Sequence, residues 1–215
     1  SAEHDTASAT PPTLYFSPVQ IEVDGAAGGL QAGGVRFGDF DNDGDLDILS
    51  SGLAGSACQL RVYVNNGDGT FNPAQIEVDG AGGGLCDGGV DWGDFDGDGD
   101  LDILVSGALT SGATATAQLR VYRNNGNGTF DANQIEVDGL NGGLTQGDVK
   151  WGDLENDGDL DILVGGIDAA GARQIRIYKN NGDGTFDANQ IEVDGAGGGL
   201  RDGIVDWGDF DGDGD

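Results

Sequence analysis

Histidine occurs once, as His4, and no stretch pairs a nucleophile with a base in the manner of a catalytic triad. The chain is therefore not read as an enzyme. Lysine and arginine are also scarce, 9 against 39 Asp and Glu, for a formal net charge of −30. That balance excludes nucleic acid and an anionic membrane surface as partners unless a cation bridges them. No apolar run is long enough to span a bilayer, so membrane insertion is not expected. The chain opens at Ser1 with neither Met nor a signal-like apolar segment, and is expected to be a processed or excised product. Aromatics are few, and with high acidity that can mean disorder. Regular apolar strands between glycine turns argue against it. What abounds is glycine, 43 residues, which suits tight turns and leaves little room for helix.

The acids are concentrated. In Asp94-Phe-Asp96-Gly-Asp98-Gly99-Asp100-Leu-Asp102, carboxylates fall at positions 1, 3, 5 and 9, with glycine at 6 and a free backbone carbonyl at 7. Calcium takes 6 to 8 oxygen ligands, and a glycine lets a loop turn sharply enough to converge them. So many acidic side chains packed this closely would repel one another without a cation. The same pattern recurs as Asp39, Asp41, Asp43, Asp45 and Asp47, and as Asp153, Glu155, Asp157, Asp159 and Asp161. A fourth copy, Asp209, Asp211 and Asp213, stops at Asp215 without its ninth position. The copies start 55, 59 and 56 residues apart, which marks a repeat protein. Three calcium ions are expected, one per complete loop, with a fourth site incomplete. None of the loops is an EF-hand, since position 12 is Ser50, Val105 or Val164 where a bidentate Glu is needed.

Between the loops each unit reads as four strands. In the second, these are Gly89–Trp92, Leu101–Val105, Gln118–Arg123 and Phe130–Val137, with a hairpin turn at Asn124-Asn125-Gly126-Asn127-Gly128. The last two strands alternate as half-buried antiparallel strands do. Arg61, Arg120 and Arg176 each precede a glutamate, Glu77, Glu136 or Glu192, by 16 residues, the spacing of a cross-strand ion pair. A ligand-binding role for these arginines is the alternative. Trp92, Trp151 and Trp207 align with Phe37 and are expected to fill the core.

Such units suit a β-propeller. The fold class expected is all-β, with about three and a half four-stranded antiparallel blades, open or completed by other copies. The divisions expected are a flexible leader at 1–12, a lone outer strand at 13–25 (Tyr15–Val23), blades at 26–80, 81–139 and 140–195, and the start of a fourth at 196–215. His4 lies in the leader, as a bystander. Three complete blades fall below the usual four of a closed ring. Either the chain is a fragment of a larger protein or copies complete one another, giving a homo-oligomer or a head-to-tail filament.

Cys58 and Cys86 interrupt the repeat at positions it does not use, and suggest one disulfide; two buried free thiols are the alternative. Asn127-Gly128-Thr129 is an N-glycosylation sequon.

The unit Trp-Gly-Asp-Phe-Asp-Gly-Asp-Gly-Asp-Leu-Asp-Ile-Leu-Val, at 92–105, resembles the FG-GAP and VCBS repeats of integrin-like β-propellers. The resemblance covers nearly everything after residue 13. It implies calcium in the turn between the first two strands of each blade, held by side chains at positions 1, 3, 5 and 9. The carbonyls of Asp45, Asp100 and Asp159 would serve at position 7. Glu155 departs from the pattern by one methylene, which weakens the third site. The function expected is a secreted or cell-surface calcium-binding structural or adhesive module, with an extracellular protein or a glycan as partner. The alternative is a lectin-like carbohydrate-binding propeller, with its pockets at the connections Gly52–Ala57, Ala108–Ala117 and Asp168–Arg173.

Overall fold

The computed structural model describes residues 21, 23–24, 28–80, 82–139, 141–195 and 197–210. The leader, nearly all of the expected lone outer strand, and Asp211 and Asp213 of the fourth loop lie outside the described residues.

Three four-stranded antiparallel sheets follow one another along the chain. The first holds β1 (Val35–Gly38), β2 (Asp47–Ala54), β3 (Ala57–Tyr63) and β4 (Ile76–Glu77). The second holds β5 (Val90–Gly93), β6 (Asp102–Ala108), β7 (Ala117–Tyr122) and β8 (Ile135–Glu136). The third holds β9 (Thr145–Gly152), β10 (Asp161–Ile167), β11 (Arg173–Tyr178) and β12 (Ile191–Glu192). Strand order within each sheet is sequence order, the layout of a propeller blade. The sheets do not close into a ring among the described residues. One 3-10 turn, Thr114–Thr116, is the single helical element described.

The outer strand is far shorter than the apolar pattern predicts. Phe130–Val137 reduces to the two residues of β8, preceded by an isolated bridge between Asn124 and Phe130. Between them Asp131 Oδ1 accepts the Asn133 amide at 3.3 Å, and this local turn takes the backbone out of the ladder. In the middle sheet, half-burial holds for β8 but fails for β7, every residue of which is buried, as is every residue of β6 beside it. The two faces of this sheet are both covered. Ile103 and Val105 turn back onto Leu49, Leu60 and Val62 of the first sheet, while Leu104 turns forward onto Val149, Ile162 and Val164 of the third.

The sheets mesh through aromatics. Trp92 stacks against Phe40 of the preceding loop and Phe130 of its own sheet, at 6.2 and 6.3 Å between ring centres. Trp151 repeats this with Phe95 and Phe186, at 5.9 and 6.2 Å. Glycine makes room for each ring. A Cβ at Gly38 would lie 2.6 Å from Trp92 Cδ1, inside contact distance, and Gly93 stands the same way to Trp151. Of the three tryptophans expected to fill the core, Trp151 is buried and Trp92 and Trp207 are partly buried, whereas Phe37 at the aligned position is 65% exposed, with no described aromatic of a preceding loop over it.

A second join runs along the inner edge. Ala32, Asp87, Gln146 and Asp202 all take positive φ, between 55° and 59°. The Asp87 amide donates to Ala32 O at 2.6 Å, that of Gln146 to Asp87 O, and that of Asp202 to Gln146 O at 2.7 Å. One main-chain bond thus passes from each repeat to the next. Cys58 and Cys86 form a disulfide that ties β3 to the approach to β5, across the first boundary between sheets.

Candidate metal centre

Each acidic loop connects the first two strands of a sheet, and its aspartates first organise its own backbone. Position 1 accepts from the amide of the glycine at position 6: Asp39 from Gly44 at 2.9 Å, Asp94 from Gly99 at 3.0 Å, Asp153 from Gly158 at 2.9 Å. Position 5 accepts from position 7, as Asp98 Oδ1 does from the Asp100 amide at 3.0 Å. Position 9 is buried and works as a clamp. Asp102 takes the Phe95 amide on Oδ2 at 3.1 Å and the Asn124 amide on Oδ1 at 2.8 Å. Asp47 and Asp161 hold Phe40 and Asn65, and Leu154 and Asn180, in the same way.

Two sets of carboxylates converge, each with one oxygen per residue inside a mutual distance of 4.8 Å: Asp39, Asp41 and Asp43, and Asp94, Asp96 and Asp102. Two oxygens on opposite sides of a calcium at its usual 2.3–2.6 Å stand up to about 5 Å apart, so the spacing fits. The second set carries the sharper sign. Asp94 Oδ1 and Asp96 Oδ1 are both buried without a hydrogen-bond partner. In the first and third loops, the matching position 1 oxygen takes the amide of position 5, at 3.0 and 3.1 Å. Anionic oxygens withdrawn from water and left without a donor are stabilised by a nearby cation, and only the other Asp96 oxygen has one among the described residues, Arg123 at 2.8 Å. Burial, assisted by Asp96 and Asp98, pushes the Asp102 carboxyl up to about 7, although two amides act against the shift. Asp41, Asp47 and Asp161 are raised for the same first cause. An all-oxygen acidic donor set suits a hard divalent cation such as calcium.

The expected ligands are not all gathered. Asp47 does not join the first set, Asp98 does not join the second, and the third loop forms no set of this kind among the described residues. There the longer Glu155 reaches outward to an ion pair with Lys179. Asp100 offers its carboxylate to Asn42 Nδ2 of the preceding loop at 2.8 Å, and Asp45 and Asp159 pack against Gly67 and Gly182. Asp209 lies in the exposed end of the described chain. Asn127 is exposed in its turn, with Oδ1 accepting from the Thr129 amide at 3.1 Å.

Two groups of supporting residues were missed from the sequence. Asn124 Nδ2 donates to Phe40 O at 2.8 Å and Leu101 O at 3.2 Å, so it holds the loops of two repeats at once. Asn180 does the same for Phe95 and Leu160. Both occupy the first place of an Asn-Asn-Gly turn, where Asn has a sufficient local reason to occur. The second group surrounds the arginines. Arg61, Arg120 and Arg176 do pair with Glu77, Glu136 and Glu192, at 2.8, 2.9 and 2.9 Å. Each also reaches an aspartate of the preceding linker, Asp24, Asp79 or Asp138. Tyr63, Tyr122 and Tyr178 donate to those same aspartates. Desolvation, before any other cause, pushes the phenols of Tyr122 and Tyr178 well above their ordinary value.

The model of the FG-GAP-like repeat matches residues 51–105 and 109–164, more than half of the chain. The chain belongs to the FG-GAP-like repeat family. Each matched segment runs from one sheet into the next and encloses one acidic loop, so the family unit spans an inter-sheet boundary. No curated protein matches the chain. FG-GAP repeats are typical of extracellular proteins and are generally non-enzymatic. No described helix is long and apolar enough to cross a membrane.

Proposed function

We propose that the chain is an extracellular calcium-binding repeat module with a structural or adhesive role and no catalytic activity. The observation that carries this reading is the pair of buried, unpartnered oxygens of Asp94 and Asp96, set against Asp102. Asp94, Asp96 and Asp102 would hold the ion in the second loop, and Asp39, Asp41 and Asp43 in the first. A bound divalent charge there offsets carboxylate repulsion and so couples cation binding to the joining of the first two strands in the first and second sheets. The inter-sheet disulfide supports an oxidising compartment outside the cell.

Differential scanning calorimetry of the full chain, in chelator and then in millimolar calcium, tests the proposal. A ligand that binds only the folded state at a hundredfold excess over its Kd adds about 2.7 kcal/mol per site. A rise in Tm with calcium that Asp94→Asn reduces is expected. An identical Tm in chelator and calcium overturns the reading.

A further inference from the structure

The three acidic loops differ in the residue that faces them from the end of the third strand. Val64, Arg123 and Lys179 each follow directly on the tyrosine that closes β3, β7 or β11. Their backbones are equivalent. The carbonyls of Val64, Arg123 and Lys179 accept the amides of Asn72, Asp131 and Asp187, each at 2.8 Å. Their side chains are not. Val64 packs onto the apolar cluster around Phe40 and brings no charge to the first loop. Arg123 places its guanidinium 5.5 Å over the Phe95 ring, and Nε stands 2.8 Å from Asp96 Oδ2 without hydrogen-bond alignment. It lies in a recess that Asp159 and Asp183 also line. Lys179 holds Glu155, the position 3 carboxylate of the third loop.

We propose that this residue ranks the loops for calcium, the first filling before the second and the second before the third. The inference rests on the calcium reading above. A fixed positive charge beside a ligand carboxylate repels an arriving divalent cation and already neutralises part of the field that would draw it in. The first loop has no such competitor among the described residues. In the second, Arg123 stands at Asp96 Oδ2 while Asp96 Oδ1 has no hydrogen-bond partner, so the set with Asp94 and Asp102 is kept and loses field strength. In the third, the ammonium takes the longer carboxylate away from the cluster, and three converging oxygens are not formed. The basic residues act as resident counter-ions that hold the loops together when calcium is low.

Calorimetric titration of the chelator-treated full chain with calcium chloride tests the order. The tightest class of sites is expected to vanish in Asp41→Asn. Arg123→Gln and Lys179→Gln are each expected to tighten one weaker class about tenfold, and Val64→Lys to weaken the tightest class about tenfold. Far-ultraviolet circular dichroism at saturating calcium checks that each variant keeps the fold. The two basic side chains are 41% and 37% exposed, so neither substitution opens the core. Unchanged constants in both glutamine variants, or weaker binding in either, overturn the ranking while leaving calcium binding intact. A wild-type chain that takes up no calcium overturns both readings together.

Discussion

Arg36 on β1 and Asp148 on β9 are ion-paired at 3.2 Å, across 112 residues and two sheets. The middle sheet is included in the same contact. Asp91 on β5 accepts Arg36 Nε at 3.3 Å and Lys150 Nζ at 3.2 Å. Contact between the first and third sheets requires that all three turn about a common inner edge, as blades do, rather than stack in a straight row.

Arg36→Gln is expected to lower the stability of the folded chain by about 1–3 kcal/mol, because buried Asp148 and half-buried Asp91 lose a charged partner. Adding Asp148→Asn should recover part of the loss. Urea denaturation of the single and double variants measures both.

Asn124→Ala leaves Phe40 O and Leu101 O without their donor in a buried setting, and should cost about 1–3 kcal/mol. Asn65→Ala should cost less, since its bond to Leu46 O lies in an exposed setting. Thermal melts of the two variants in one buffer give the comparison.

Gly93→Ala drives a methyl group into the indole of Trp151 and the side chain of Leu160. Overpacking of this sort costs about 1–3 kcal/mol and should blunt near-ultraviolet circular dichroism from Trp151 before secondary structure is lost. Trp151→Leu in the same background is expected to recover part of the stability.

Replacing both Cys58 and Cys86 by Ala opens a crosslink with a sequence separation of 28 residues, worth about 3 kcal/mol. Reduction of the wild-type chain should lower its melting temperature to near that of the double variant, and leave the double variant unaffected. Intact mass with and without reductant verifies the state of the bond.

The repeats, the acidic loops and the 16-residue Arg–Glu pairing were legible because each rests on a local pattern of side chains at fixed spacing. Asp79 and Asp138 were not, for they lie in glycine-rich linkers and meet Arg120 and Arg176 only after the sheets have packed. The shortness of β8 escaped notice for a related reason. Its apolar alternation continues through Phe130, while the backbone there follows the Asp131 side chain. Phe37 and Trp92 align in sequence, yet burial depends on what the neighbouring repeat lays over them. Lys179 and Glu155 stand 24 positions apart, and no periodic pattern links them.

The bonds that pass from Ala32 to Asp87, Gln146 and Asp202 involve main chain alone. Four positions with nearly the same positive φ therefore hold three kinds of side chain. A coupling written in the backbone does not use the side chain that carries it, so these positions can change residue, within what a positive φ tolerates, while the bond between units is kept. It also makes each unit portable. A duplicated segment brings its own donor and acceptor, and an array can lengthen or shorten by whole units without a new joint having to be invented.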